Sequence, residues 1–197
     1  GMGFLVAGAK AYTGLDPVMD LESGRARNKR IRAWEDMGIT PREIASILPA
    51  IRLFKCTAED IPLQEVFDTI SLHNVTEHLL QLVEVISGLV KLCQPGTQIV
   101  YLHHNFYCWN GHHMAPSQPH QLDVDNPKHQ KICDWRHIDV VESLPADHYF
   151  KTHLNRVRFH DLRSMTEKYF TIKEWTEIPS SEKTLERLTP EIVSRVR

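Results

Sequence analysis

The sequence predicts an α/β domain whose sheet is mostly parallel, with helices on both faces. Three observations lead there. An apolar strand, Phe67-Asp68-Thr69-Ile70-Ser71-Leu72, is followed by a helix from about Thr76 to Leu92. A turn, Gln94-Pro95-Gly96-Thr97, then leads into a second strand, Gln98-Ile99-Val100-Tyr101-Leu102. Strand, helix and strand in that order read as a parallel crossover unit, which places the carboxyl ends of the strands along one edge. The third observation is size: 197 residues, 42% of them hydrophobic, suffice for the core of one domain.

Each element has a local reason. Gly1-Met2 reads as a tag residue before a start methionine, and Gly3 to Lys10 as the end of a helix or a strand. Ala11-Tyr12-Thr13-Gly14-Leu15-Asp16 reads as a short strand with an acidic tip, and Pro17, which cannot donate to a ladder, helps end it. Residues from about Leu21 to Met37 are charged and helix-favouring, with Asp20 or Ser23 as cap. Thr40-Pro41-Arg42-Glu43 supplies a cap, a proline in the first turn and an acid, so a helix starts there and stops before Pro49. Ile51 to Cys56 alternates as a strand does. In the helix from Thr76, Leu79, Leu82, Val83, Ile86, Leu89 and Val90 recur at helical spacing and form a core-facing stripe. The segment 104–147 shows no clear period and is rich in His, Pro, Asn and Trp. Such a segment reads as a lid or binding insertion. A helix from His160 to Tyr169, a strand from Thr171 to Trp175 and a helical tail interrupted at Pro190 complete the chain.

Composition excludes several classes. A net charge of -2 gives no whole-chain basis for nucleic-acid binding. The basic run Arg25 to Arg32 is flanked by acids and reads as a solvated helix face. No apolar run reaches the roughly 18 residues of a membrane span, and no secretory leader is visible. Cys56, Cys93, Cys108 and Cys133 are widely spaced, without a CxxC pair, and read as reduced thiols of a cytoplasmic protein.

Four segments, taken together and in order, resemble the class I S-adenosylmethionine-dependent methyltransferases. Ala11 to Asp16 is similar to the family's second strand, whose terminal acid binds the cofactor's ribose; a carboxylate suits a vicinal diol because it offers several acceptor sites. Cys56-Thr57-Ala58-Glu59-Asp60-Ile61-Pro62 resembles the loop after the third strand, beside the adenine, with Thr57 where many members carry aspartate. Phe67 to Asn74 resembles the fourth strand and the loop under the methionine moiety, and Glu77-His78 an acid-His pair common there. Leu92-Cys93-Gln94-Pro95-Gly96-Thr97 resembles the turn before the fifth strand. The resemblance covers about residues 9 to 103. It implies a Rossmann-like fold and S-adenosylmethionine as cofactor, with Asp16, Thr57, Ala58, Glu59, His73 and Asn74 on the cofactor side. The family's first strand and GxGxG turn find no match. The chain thus reads as a single methyltransferase-like domain truncated at the first strand, with weak or absent cofactor binding. A sheet lacking that strand has an open edge, which a further segment or a second copy of the chain is expected to cover.

Twelve histidines are present, ten of them between His103 and His160. The run from His103 to His113 begins where the resemblance places the fifth strand's end, facing the transferred methyl. Methyl transfer needs alignment and desolvation, and a base where a hydroxyl or amine must lose its proton. Imidazole titrates near neutrality and suits that role. His104, His112 and His113 are the candidate bases, Tyr107 and Trp109 the candidate pocket walls, and Arg136 a partner for an acidic substrate group. The expected substrate is a small molecule, methylated on oxygen or nitrogen.

Two alternatives remain open. One is a non-catalytic remnant of the fold that serves dimerisation or ligand binding. The other is a metal-dependent hydrolase drawing on His103, His104, His112, His113, Asp123, Asp125, His129 and Cys133, although no HxxxH or CxxC spacing organises them. Glu77 is balanced between a site role and complementing a helix dipole. Trp34, Trp135 and Trp175 read as core or interface anchors.

Overall fold

The computed structural model describes residues 2–20, 23, 32–57, 60, 64–178 and 180–196. The chain divides into two compact units, Gly1–Leu63 and Gln64–Arg197. The architecture is mixed α/β, with a two-stranded parallel sheet in each unit. Among the described residues no helix is long and apolar enough to cross a membrane.

In the first unit, helix α1 (Met2–Val6) precedes strand β1 (Tyr12–Leu15), which runs parallel to β2 (Ile51–Phe54) with Leu15 opposite Phe54. Residues 32–36 are helical, whereas 21–22 and 24–31 of the expected charged helix lie outside the described residues. Helix α2 (Pro41–Ile47) starts where its capping signal predicts. The Thr40 hydroxyl accepts from the Glu43 amide at 3.3 Å, and the Glu43 carboxylate accepts from the Thr40 amide at 2.8 Å. The α-helix ends at Ile47, before Pro49, and passes into a 3-10 turn, Leu48–Ala50, that contains the proline.

The second unit is built on β3 (Phe67–His73) and β4 (Cys93–Leu102), parallel and in register from Thr69 opposite Gln98 to His73 opposite Leu102. β4 starts earlier than expected. Cys93 already pairs with Phe67, and the Pro95-Gly96 turn is absorbed as an irregularity held by the Thr97 hydroxyl, which donates to the Phe67 carbonyl at 2.6 Å. Gly96 sits at φ +96°, a conformation glycine adopts without penalty.

The crossover helix is shorter than its apolar stripe predicts. Thr76–His78 is a single 3-10 turn, Leu79 is extended, and only α3 (Leu82–Leu89) is α-helical before a 3-10 ending, Val90–Leu92. The break has a visible cause. The Asn155 side-chain amide donates to the carbonyls of Thr76 and Leu79, at 2.6 and 3.0 Å. A continuous helix would need those two acceptors for its own ladder. The stripe holds in part: Leu82, Ile86 and Leu89 are buried, with Val85 beside them, whereas Val83 and Val90 are exposed, and Leu82 and Ile86 pack on Leu162 of α7 (Phe159–Glu167).

Segment 104–147 is not a lid over a finished body. It carries short helices, α4 (Pro127–Ile132) and α5 (Arg136–Val140), and supplies much of this unit's core. Phe106 and Val141 pack with Phe150 of α6 (Tyr149–Thr152) and with Leu154. Trp109, Cys133 and Trp135 form a second cluster, which reaches Leu188 and Ile192 near the C-terminus. Fully burying a side chain such as Phe150 stabilises by about 1.5–3 kcal/mol.

Helix α7 (Phe159–Glu167) falls where expected. The strand expected from Thr171 to Trp175 does not form. Among the described residues β3 and β4 pair only with each other, so that stretch finds no ladder, and Trp175 packs on the Leu162 cluster instead. Pro190 begins helix α9 (Pro190–Val196) rather than interrupting the tail, after α8 (Glu182–Leu185), because a proline fits the first helical turn. All four cysteines are free.

Candidate functional site

Parallel pairing sets the site of the second unit. His73 lies opposite Leu102, so the loops leaving β3 and β4 emerge together at one end. From the first loop come Thr76, Glu77 and His78; from the second come His103 and His104. The Thr76 hydroxyl ties the two together, lying 3.2 Å from the Leu102 carbonyl, 3.1 Å from His103 Nδ1 and 3.5 Å from Glu77 Oε2. Thr76 and Glu77 are buried.

The chain returns to this edge through His113, whose ring centroid lies 4.2 Å from that of His104 and 5.1 Å from that of His78. Its return depends on a close approach. A Cβ on Gly111 would stand 1.9 Å from the Phe106 carbonyl oxygen, so only glycine fits there. His113 itself sits at φ +53°, a left-handed conformation that costs a β-carbon residue energy and recurs at functional sites. The Glu77 carboxylate and the His78 and His113 rings place one ligand-capable atom each within 4.8 Å of one another.

Burial sets the chemistry of these imidazoles. His113 is pushed down to about 4 by burial and by the neighbouring His104, His78 and His103 rings, so it is neutral at pH 7. Burial also lowers His103, against the opposing pull of the Glu77 carboxylate. The Nε2 atoms of His103 and His113 are sealed from solvent with no hydrogen-bond partner. His104 Nε2 lies 3.1 Å from Asn110 Oδ1 and 3.3 Å from the Cys108 sulfur. A cavity of about 490 Å³ opens beside them, walled by His104, Asn110, His113, Met114, Ser117 and Gln121.

The three candidate bases therefore separate. His104 and His113 share the cavity wall, but His112 does not line it. His112 is fully buried, its Nδ1 accepts the Met114 amide at 3.1 Å, and it is lowered to about 4 by burial and by His137. The candidate pocket residues disperse too. Trp109 is a core side chain whose indole donates to Asp134 at 2.9 Å. Tyr107 belongs to a second cavity, of about 370 Å³, with Arg158 stacked 4.2 Å over its ring. Arg136 spends a guanidinium nitrogen on the Gln130 carbonyl at 2.7 Å.

On the expected cofactor side, Asp16 and Thr57 follow the paired strands β1 and β2. Asp16 Oδ1 accepts the Val18 amide at 2.8 Å, and the Thr57 hydroxyl donates to Asp60 at 2.9 Å. Ala58 and Glu59 lie outside the described residues. His73 and Asn74 stand at the exposed end of β3, Asn74 at φ +51°. Of the other expected metal ligands, His129 Nδ1 accepts the Asp123 amide at 3.1 Å, the Asp123 carboxylate accepts the Asp125 amide at 3.0 Å, and Cys133 is buried with Trp109 and Trp135.

Sequence reasoning missed the residues that hold this edge together. Asn155 meets Thr76 across 79 positions and His153 meets His78 across 75, separations at which no local pattern carries a signal. His78 was visible as half of an acid-His pair at a turn. No protein-family model, no curated protein and no solved structure was found to match the chain.

Proposed function

We propose that this chain is a methyltransferase-type α/β protein that transfers a methyl group from S-adenosylmethionine to an oxygen or nitrogen of a small molecule. One observation carries the reading. The parallel β3–β4 crossover unit opens its carboxyl edge onto a histidine-lined cavity, and ligands of parallel α/β sheets bind at that edge. A cavity of about 490 Å³ is the size of a small-metabolite site, in keeping with the usual range of roughly 300–1,000 Å³.

A second feature agrees with it. β1 and β2 are also parallel, so acid-tipped and hydroxyl-tipped strands end side by side, as a ribose and a base would require. In this reading Asp16 and Thr57, just beyond the ends of β1 and β2, take the nucleoside. His104 is the base: it stands in the cavity wall and keeps one ring nitrogen for a substrate proton while the other meets Asn110. His113, held neutral by burial, is too weak a base for that task.

Calorimetric titration with S-adenosylmethionine tests this proposal. Saturable heat, retained in His104→Ala while transfer to a hydroxyl or amine acceptor is lost, is the expected result. No heat at millimolar cofactor would sink it and favour a non-catalytic member of the fold.

A further inference from the structure

We propose that Glu77, His78 and His113 form a binding site for a divalent first-row transition ion, with zinc as the natural probe. Two imidazoles and one carboxylate are the donor set of many catalytic zinc and non-haem iron sites. Here they come from two loops of one unit, and their ligand-capable atoms lie within 4.8 Å of one another. Tetrahedral coordination with bonds of about 2.0–2.2 Å brings ligand atoms to roughly 3.4 Å apart, which these side chains reach by small rotations.

The surroundings match the demands of such a site. His78 Nδ1 lies 2.7 Å from the His153 carbonyl, so it is the protonated nitrogen and leaves Nε2 as the donor to a metal. A histidine ligand fixed by a carbonyl on its far nitrogen is the usual outer-shell arrangement. His113 Nε2 is buried with no partner, and a buried polar atom without a partner calls for an ion or a water. The Glu77 turn is held from behind, its carbonyl accepting the Asn155 amide at 2.8 Å. Glu77 is buried, so it is not one of the solvated surface acids that cluster without binding anything. Because His113 is also in the wall of the 490 Å³ cavity, a bound ion would sit at its edge, where it could orient an oxygen donor of a substrate.

This site stands apart from the methyl-transfer reading, since none of its three ligands is assigned to cofactor or base there. The full chain is stripped with chelator, dialysed, and titrated with zinc chloride alone and with cobalt(II), whose visible absorption reports inner-sphere ligands. One tightly held ion per chain is expected, with a cobalt spectrum characteristic of nitrogen and oxygen donors. His78→Ala and His113→Ala should each weaken binding by more than the roughly 10–100-fold that loss of an outer-shell partner costs. His129→Ala, outside the three-ligand group and with its ring accepting the Asp123 amide, should leave both stoichiometry and spectrum unchanged. Retention of wild-type affinity in His78→Ala would overturn the assignment, as would failure of the wild-type chain to hold an ion against dialysis. His78 packs at the rim of the turn, so its variant serves where His113→Ala does not fold, which circular dichroism shows.

Discussion

Replacing Asn155 by alanine isolates the contact that shapes the site. The asparagine amide donates to the Thr76 carbonyl at 2.6 Å and to the Leu79 carbonyl at 3.0 Å, and its oxygen accepts from the Val157 amide at 3.3 Å. The backbone bond from Asn155 to Glu77 survives the substitution. Each buried hydrogen bond contributes about 0.5–1.5 kcal/mol net, and a stranded buried carbonyl costs about 1–3 kcal/mol. Thr76 keeps a long bond from the Leu79 amide at 3.4 Å, so one acceptor is stranded and the other weakened. The expected loss is about 2–4 kcal/mol, a large part of the 5–15 kcal/mol typical of a domain. Urea unfolding followed by circular dichroism measures it, with an unchanged slope as the sign that only stability moved. Asn155→Asp keeps the shape but removes the donors and sets a carboxylate against two carbonyls, so it should be worse than alanine. A loss below about 0.5 kcal/mol, the level of an inert surface change, would refute the account of why the crossover helix breaks at Leu79.

Two further outcomes follow from the same packing. Gly111→Ala puts a methyl 1.9 Å from the Phe106 carbonyl, so the loop must move, and destabilisation should exceed the roughly 1–3 kcal/mol of ordinary overpacking; a thermal melt indistinguishable from wild type would contradict the close approach. Asp134 is held below the usual carboxylate range by hydrogen bonds from Arg187, with the Trp109 indole adding to this against the opposing effect of burial. A depressed folded value gives stability that is fully present above the unfolded value, about 3.9, and lost as the pH falls through the lower folded one. The stability gap between wild type and Asp134→Asn should therefore be constant from pH 5 to 7, narrowing only in stronger acid. A gap independent of pH down to 2 would show that the carboxylate is not the group Arg187 holds.

How far the sequence reaches differs between the backbone elements and the site. Thr40-Pro41-Arg42-Glu43 wrote its helix start completely, because every group in a capping box lies within one turn. The strands at Tyr12, Ile51, Phe67 and Gln98 and their parallel pairing were legible for the same reason: alternation and crossover order are near-neighbour properties. Thr171 to Trp175 has the composition of a strand and is not one, since a strand is completed by a partner the sequence cannot point to. His104, His112 and His113 looked equivalent as residues. Packing alone separated them, burying His112 against His137 and Trp109 and leaving the other two at the cavity.

The sequence by itself determined the α/β class, the acid- and histidine-tipped strand ends, and the clustering of imidazoles after Leu102. Only the tertiary structure decided which of those imidazoles meet Glu77, and that segment 104–147 is core rather than cover. The physical reason is range. Backbone preference and hydrophobic period act over a few residues, whereas the burial that strips His113 of its proton and the amide that breaks a helix at Leu79 come from side chains tens of positions away.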